Sequence, residues 1–305
     1  MKRRDFLNKI SAGSALVTLG SFGLQSFKTL DTSTKITILH TNDVHSHIDP
    51  FGPDEGRNAN KGGVARRAAL IDAIRKENKN TLLLDAGDIF QGTPYFNYYG
   101  GELEFKLMSM LNYDLATIGN HDFDNGLMGL YGQLPHAKFD FVSANYDFSN
   151  TVMDTHVKPF KTFIKDGIKV GVFGLGIELE GLVDKNLYKE TKYLDPIEIS
   201  EDMTRILKQD EGCDLIICLS HLGYNYKRNP KKVSDLVLAK KTKDIDLIIG
   251  GHTHTFLQKP TIVKNKEDKN TLVNQVGCYG LYLGQIDFYF DNNKNKSSTG
   301  TTIIV

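Results

Sequence analysis

The sequence has little of what several common protein classes require. Its 305 residues include three cysteines, Cys213, Cys218 and Cys278. A small, odd count argues against a disulfide framework, and no pair has the C-x-x-C spacing of a thiolate zinc site. Cys213 and Cys218 sit in or beside the apolar run DLIICLS and are expected to be buried as small hydrophobes. Charge of one sign is missing too, since 37 basic residues balance 37 acidic ones. There is no global basic field to hold a nucleic-acid polymer, although a local site can still bind a small phosphate compound. No apolar run is long enough to make a comfortable membrane span. Internal repeats are lacking, and so is a Pro/Gly/Ser linker that would cut the chain in two. What remains, 40% apolar and 24% charged residues, is ordinary for a globular protein.

The first residues read as an address rather than as fold. Lys2, Arg3 and Arg4 form a charged start, and the stretch from Ala12 to Leu24 is apolar but diluted by Gly13, Gly20 and Gly23. This is the arrangement of a secretory signal, and Arg3-Arg4-Asp5-Phe6-Leu7 resembles the twin-arginine export motif. The segment has no cysteine, which argues against a lipoprotein anchor. Residues 1–28 are therefore set aside as an export signal. An exported location, periplasmic or in the cell envelope, is expected.

From Lys35 onward apolar runs alternate with helical patterns. Strands are predicted over Ile36–His40, Thr81–Asp85, Leu115–Ile118, Phe141–Ala144, Asp214–Leu219 and Asp246–Ile249. Helices are predicted over Gly63–Lys76, with Val64, Ala68, Ile71 and Ile74 on one face, and over Glu102–Leu111 and Ile197–Lys208. Lys158–Gly174 reads as a hairpin turning at Asp166-Gly167, and Thr271–Phe290 alternates in β fashion. The pattern is that of an α/β fold, with more β structure toward the end. The main domain is expected over 35–292, with 293–305 a tail or a last strand.

Five polar clusters follow apolar strands. They are Thr41-Asn42-Asp43-Val44-His45, Asp85-Ala86-Gly87-Asp88, Gly119-Asn120-His121-Asp122-Phe123-Asp124, Ser220-His221 and Gly250-Gly251-His252-Thr253-His254. In open α/β sheets, sites form at the carboxyl ends of strands, so these clusters are expected to converge. Asp-x-His and His-x-His each place two donors on one face of an extended backbone. Imidazole and carboxylate together suit Zn, Mn, Fe or Co. Each cluster alone has a bland reading: Gly-Asp is usually a turn, and Ser-His after a strand is usually a satisfied core histidine. Five such clusters, each at a strand end, argue for a metal centre.

Their order resembles the calcineurin-like metallophosphoesterases, and most of all the 5′-nucleotidase and UDP-sugar hydrolase branch. ILHTNDVHSH, GGVARRAALID, LLLDAGDIFQGTPYFNYYGGE, ATIGNHDFDNG, SANYDF, LSHLG and IIGGHTH carry the resemblance, which runs from about Lys35 to Asp291. It implies a four-layer α/β/β/α sandwich with a dimetal site at the carboxyl ends of the strands. It also implies that Asp43, His45, Asp88 and His254 hold one divalent metal ion and Asp88, Asn120, His221 and His252 a second, with Asp88 bridging. His121 matches the catalytic histidine and Asp124 the carboxylate that orients it. Some relatives have glutamine where His254 stands, which bears on the grip of the first metal. By implication the chain is an enzyme that hydrolyses phosphate esters of nucleotides by attack of a metal-activated hydroxide.

Two-domain relatives hold the nucleoside partly through a C-terminal domain, and this sequence ends where that domain would begin. The resemblance thus leaves two expectations: the domain holds its substrate alone, or a separate chain supplies the missing surface. Rival activities are a 2′,3′-cyclic nucleotide phosphodiesterase, a UDP-sugar hydrolase, a thiohydrolase of thiosulfate oxidation and a non-catalytic partner subunit. The paired His121 and Asp124 argue against the last.

Other residues draw blander expectations. Arg66 and Arg67 are expected on a solvated or salt-bridged helical face. His40 and His47 are expected behind the ligands or at the surface. Tyr95, Phe96, Tyr98 and Tyr99 either wall a base pocket or pack with one another. The basic runs Lys227–Lys232 and Lys240–Lys243 are expected to be solvated, and Asp85 is a candidate to hold a ligand histidine from behind.

Overall fold

Ile36, Ile38 and Leu39 open a strand that is buried on both faces, and this double burial sets the architecture. The computed structural model describes residues 34–305, so the export signal expected over 1–28 lies outside the described residues. In chain order the strands are β1 (Thr34–Thr41), β2 (Thr81–Asp85), β3 (Leu115–Ala116), β4 (Asp140–Val142), β5 (Tyr146–Asp147), β6 (Val157–Lys158), β7 (Phe160–Lys165) and β8 (Ile168–Leu175). They continue with β9 (Lys192–Tyr193), β10 (Leu215–Ser220), β11 (Leu247–Gly250), β12 (Thr261–Lys264), β13 (Asn270–Asn274), β14 (Tyr282–Phe290) and β15 (Lys296–Ile304). The helices are α1 (Val64–Glu77), α2 (Pro94–Tyr99), α3 (Glu102–Met110), α4 (Gly126–Gln133), α5 (Lys185–Tyr188), α6 (Pro196–Arg205) and α7 (Asp235–Lys241).

Two large sheets result. The first has the order β15-β14-β1-β2-β3-β4-β6, and the second β12-β13-β11-β10-β8-β7. Strands β1, β2, β3, β4 and β6 run parallel, as do β8, β10, β11 and β13. Antiparallel strands close the edges: β14 and β15 in one sheet, β7 and β12 in the other. Ile36, Ile38, Leu82 and Leu84 of the first sheet share a core with Val170, Val172, Ile217 and Ile249 of the second, so the sheets pack face to face. The opposite face of the first sheet meets Ile71 of α1, Phe105 of α3 and Leu127 of α4. That of the second meets Met203 of α6 and Leu238 of α7. The result is the four-layer α/β/β/α sandwich.

Local chemistry explains several element ends. Asp195 caps α6 by accepting from the backbone N–H of Ile197 at 2.7 Å and Glu198 at 3.1 Å, with Pro196 in the first turn. The hairpin of β7 and β8 turns at Asp166-Gly167, both with positive φ. The helix expected over Ile197–Lys208 instead ends at Arg205 and widens into a π turn over Ile206–Asp210. The widened turn seats the fully buried Leu207 over Gly171, where an added Cβ would lie 2.8 Å from the leucine Cδ2.

Candidate metal centre

The parallel strands of both sheets deliver their polar ends to one place. Asp43 and His45 follow β1, Asp88 follows β2, Asn120 follows β3, His221 follows β10, and His252 and His254 follow β11. Six of the seven proposed ligands fall into two triads, Asp43–His45–His254 and Asp88–His221–His252, each with one donor atom per residue within 4.8 Å of the others. Either triad could hold a metal ion. Asn120 joins the second, its Oδ1 lying 2.8 Å from His252 Nδ1. The triads abut: Asp88 Oδ2 lies 3.0 Å from His221 Nε2 and 3.8 Å from His45 Nε2. Asp88 therefore faces both groups.

The donor set fits cations. His45 Nδ1 donates to the Phe90 carbonyl at 3.1 Å, and His221 Nδ1 donates to the Ala86 carbonyl at 2.7 Å. In each neutral ring the lone pair is then on Nε2, directed into the site. The His45 and His254 Nε2 atoms approach to 3.0 Å. His221 Nε2 is fully buried and, among the described residues, has no hydrogen-bond partner despite its nearness to Asp88. A buried orphan nitrogen beside a carboxylate calls for positive charge between them. Burial opposes charge on His221, but Asp88 and then Asp43 pull its pKa up to about 10. Burial likewise pushes Asp88 up, yet His221, His45 and His121 together hold it well below the usual carboxylate range.

Five of these residues sit in backbone conformations that L side chains rarely adopt. The φ angles are +51° at Asp43, +50° at His45, +55° at Asp88, +70° at His252 and +50° at His254. Such strain concentrates at functional sites, where the surroundings over-determine it. Here the backbone N–H of Asp43, His45 and Ser46 donates to the carbonyls of Gly87, Asp88 and Ile89, at 2.9, 3.1 and 2.9 Å. This ladder locks the first loop onto the second. Gly119 is needed for closeness: an added Cβ would lie 2.2 Å from Asp88 Oδ1.

Sequence reading overlooked the part played by Asp122. Its buried carboxylate accepts from the N–H of Gly119 at 2.7 Å, Asp88 at 3.0 Å, Ile89 at 2.9 Å and Phe90 at 3.2 Å. It thereby ties the Asp88 loop to the Asn120 loop; its place inside Gly-Asn-His-Asp was the available signal. Beside them His121 Nδ1 lies 2.9 Å from Asp124 Oδ2, and its ring packs edge-on to His45 with centroids 5.2 Å apart. The bond to Asp124 raises the His121 pKa against the cost of burial.

The remaining candidates divide. Asp85 does not back a histidine; its carboxylate accepts from Thr41 Oγ1 at 2.5 Å and Gly87 N at 2.9 Å. Arg66 is exposed, but Arg67 turns inward and is buried, facing a cavity of about 20 Å³ that Glu104 also lines. That volume suits a single water molecule. Phe96 packs on Phe90, Tyr95 donates to Asp49 Oδ2, and Tyr98 points to solvent, so these aromatics do not form one wall. Cys213 and Cys218 are buried free thiols. His47 stacks between Phe51 and Tyr279.

His40 is fully buried, with Nε2 at 2.9 Å from Asn274 Nδ2, and burial holds its pKa down at about 3. A histidine depressed in the fold takes up protons on unfolding below its ordinary value. Its contribution to stability is complete above about pH 6.5 and fades as pH falls toward 3, by up to about 1.4 kcal/mol per pH unit. In urea titrations His40→Asn should flatten the decline between about pH 6 and 4. A slope equal to the parent's would contradict this reading.

The calcineurin-like phosphoesterase family model matches residues 36–256, and the chain belongs to that family. It is 36% identical over 288 residues to the trifunctional nucleotide phosphoesterase protein YfkN of Bacillus subtilis, covering 84% of this chain and 18% of that protein. It is 34% identical over 294 residues to the snake venom 5′-nucleotidase of Crotalus adamanteus, covering 90% of this chain and 48% of that protein. Among solved structures it resembles a 5′-nucleotidase precursor from Thermus thermophilus, with a TM-score of 0.78, 34% identity, and coverage of 89% of this chain and 55% of that one. The chain thus spans about half of these two 5′-nucleotidases and less of YfkN.

Proposed function

We propose that this protein is a dimetal phosphoesterase that hydrolyses phosphate esters of nucleotides. The observation that carries the proposal is the meeting of two donor triads around Asp88, with the His121–Asp124 pair beside them. Asp43, His45, Asp88 and His254 would hold one divalent ion, and Asp88, Asn120, His221 and His252 the other. Mn, Zn, Fe and Co all suit this mixed set of nitrogen and oxygen donors. Two such ions, when bound, supply Lewis acidity toward phosphoryl oxygens and a nucleophile from water near neutral pH.

The chain's own residues do the rest. His45 and His221 keep their Nε2 lone pairs aimed inward because the Phe90 and Ala86 carbonyls take their Nδ1 protons. Asp122 holds the Asp88 and Asn120 loops in register. His121, protonated further up the pH scale because Asp124 accepts from it, donates to the leaving oxygen or steadies phosphoryl charge. No covalent phospho-enzyme is required.

The names of the similar proteins support nucleotides as the substrate class. Export to the periplasm or envelope follows from the Lys2-Arg3-Arg4 start and the apolar stretch after it. Among the described residues no helix is long and apolar enough to cross a membrane. A separate chain that completes the substrate surface belongs to the same proposal as its alternative form. A panel of AMP, 2′,3′-cyclic AMP, UDP-glucose and an aryl phosphate tests the reading. Phosphate release from AMP is the expected result. Release from the cyclic nucleotide or UDP-glucose instead would reassign the substrate, and no release from any of them would overturn the phosphoesterase itself.

A further inference from the structure

One cavity near the centre includes a proposed ligand in its wall. It has a volume of about 330 Å³, and His254 forms part of its lining. Small-molecule pockets run from about 300 to 1,000 Å³. Beyond His254 the cavity offers Arg57 and Lys61 on one side and the rings of Phe256 and Tyr282 on another. Those two rings pair with centroids 4.4 Å apart at 38°. Phe256 is 48% exposed, so it keeps a free surface against which a planar group can stack. Lys61 Nζ donates to the Arg57 carbonyl at 2.7 Å, which anchors the ammonium beside the arginine and leaves it further donors. Among the described residues no carboxylate lines this cavity. A neighbouring cavity of about 270 Å³, along His47 and Tyr95, carries Asp49 and Glu55 instead. An anionic leaving group is thus drawn to the basic cavity and repelled by the acidic one.

We infer that the cavity lined by His254, Arg57, Lys61, Phe256 and Tyr282 is a leaving-group subsite for a nucleoside that carries a second phosphate, as in a nucleoside 5′-diphosphate. The inference rests on the phosphoesterase reading above and adds where the rest of the substrate goes. The terminal phosphate lies at the ligand triads, the inner phosphate meets Arg57 and Lys61, and the base stacks on Phe256. In the reaction, the oxygen of water bonds to the terminal phosphorus. The bond from that phosphorus to the bridging oxygen breaks, its electron pair stays on the departing nucleoside monophosphate, and the proton of the attacking water passes to that oxygen or to solvent. Charge-assisted contacts to the inner phosphate are the strong ones, and stacking on an aromatic ring tolerates any base.

The test is titration of the Mn-loaded full chain with α,β-methylene-ADP, whose bridging carbon cannot be cleaved. Turnover of an aryl phosphate by the parent is measured in parallel. The expected result is that Arg57→Gln with Lys61→Gln weakens binding of the analogue about tenfold or more. Arg57→Lys should restore part of the loss. Phe256→Ala should weaken binding by about tenfold, the scale of one lost base–aromatic stack. Affinity equal to the parent's in both the double variant and Phe256→Ala would overturn the subsite. Failure of the parent to cleave the aryl phosphate while it still binds the analogue through Arg57 would count against the phosphoesterase reading and leave the subsite standing.

Discussion

Replacing Asp88 by Ala is expected to remove most of the activity and most of the metal together. Asp88 Oδ2 faces His221 Nε2 and His45 Nε2, one from each triad, so this carboxylate is placed to serve both. Removing one donor that stabilises transition-state charge costs on the order of 10² to 10³ in kcat, and Asp88 is placed to serve two ions at once. A fall in kcat/KM of about 10³ or more is therefore expected, with metal content below half of the parent's. Elemental analysis and phosphate release on the same sample check it. An Asp88→Ala protein with full metal and near-normal turnover would show that the two triads do not act as one centre. The variant also loses the acceptor of the His121 backbone N–H, which lies 2.8 Å from Asp88 Oδ1, so circular dichroism should accompany the assay.

His121→Ala should separate chemistry from metal binding. His121 lies in neither triad, and its Nδ1 is directed to Asp124. A positioned acid or base contributes about 10² to 10⁴ in rate. Turnover is expected to fall by that much while the metal content stays that of the parent. The pH profile carries the sign. Asp124 raises the His121 pKa, so the protonated form persists above the ordinary value, and the alkaline limb of kcat should lie above about 6.5. Asp124→Asn removes that support, and the limb should move toward lower pH. Loss of metal in His121→Ala, or an unmoved limb in Asp124→Asn, would remove His121 from the role assigned to it.

Much of this site can be read in the sequence because its grammar is local. An apolar run buried on both faces ends abruptly in Asp, Asn or His, and in parallel sheets such ends share one rim. Thr81–Asp85 and the hairpin turn at Asp166-Gly167 appear where the pattern puts them. The left-handed backbone of Asp43, His45, Asp88, His252 and His254 is not legible in this way. It is imposed by contacts such as those of the 43–46 loop with 87–89, partners more than forty residues apart in sequence. Arg67 misleads for a related reason. Its helix shows an exposed face at Arg66, but Arg67 is buried and lines the small cavity together with Val44, Ser46 and His47 of the loop after β1. Short elements escape as well. Helix α7 has two turns, too few for a helical period to stand out, and it is marked chiefly by the Ser234 cap. The nine-residue strand β15, where either a tail or a last strand was expected, is rich in Ser and Thr and gains its shape from pairing along the whole of β14.

The most direct test of the account is a metal titration of the purified, chelated chain with phosphate release followed at each step. Two ions are expected to bind per chain, and cleavage of a phosphate ester should rise only as the second site fills. A folded chain that saturates with both ions and releases no phosphate, or one that cleaves equally well with its metals stripped, would contradict the assignment of Asp43, His45, Asp88, Asn120, His221, His252 and His254 as a catalytic metal centre.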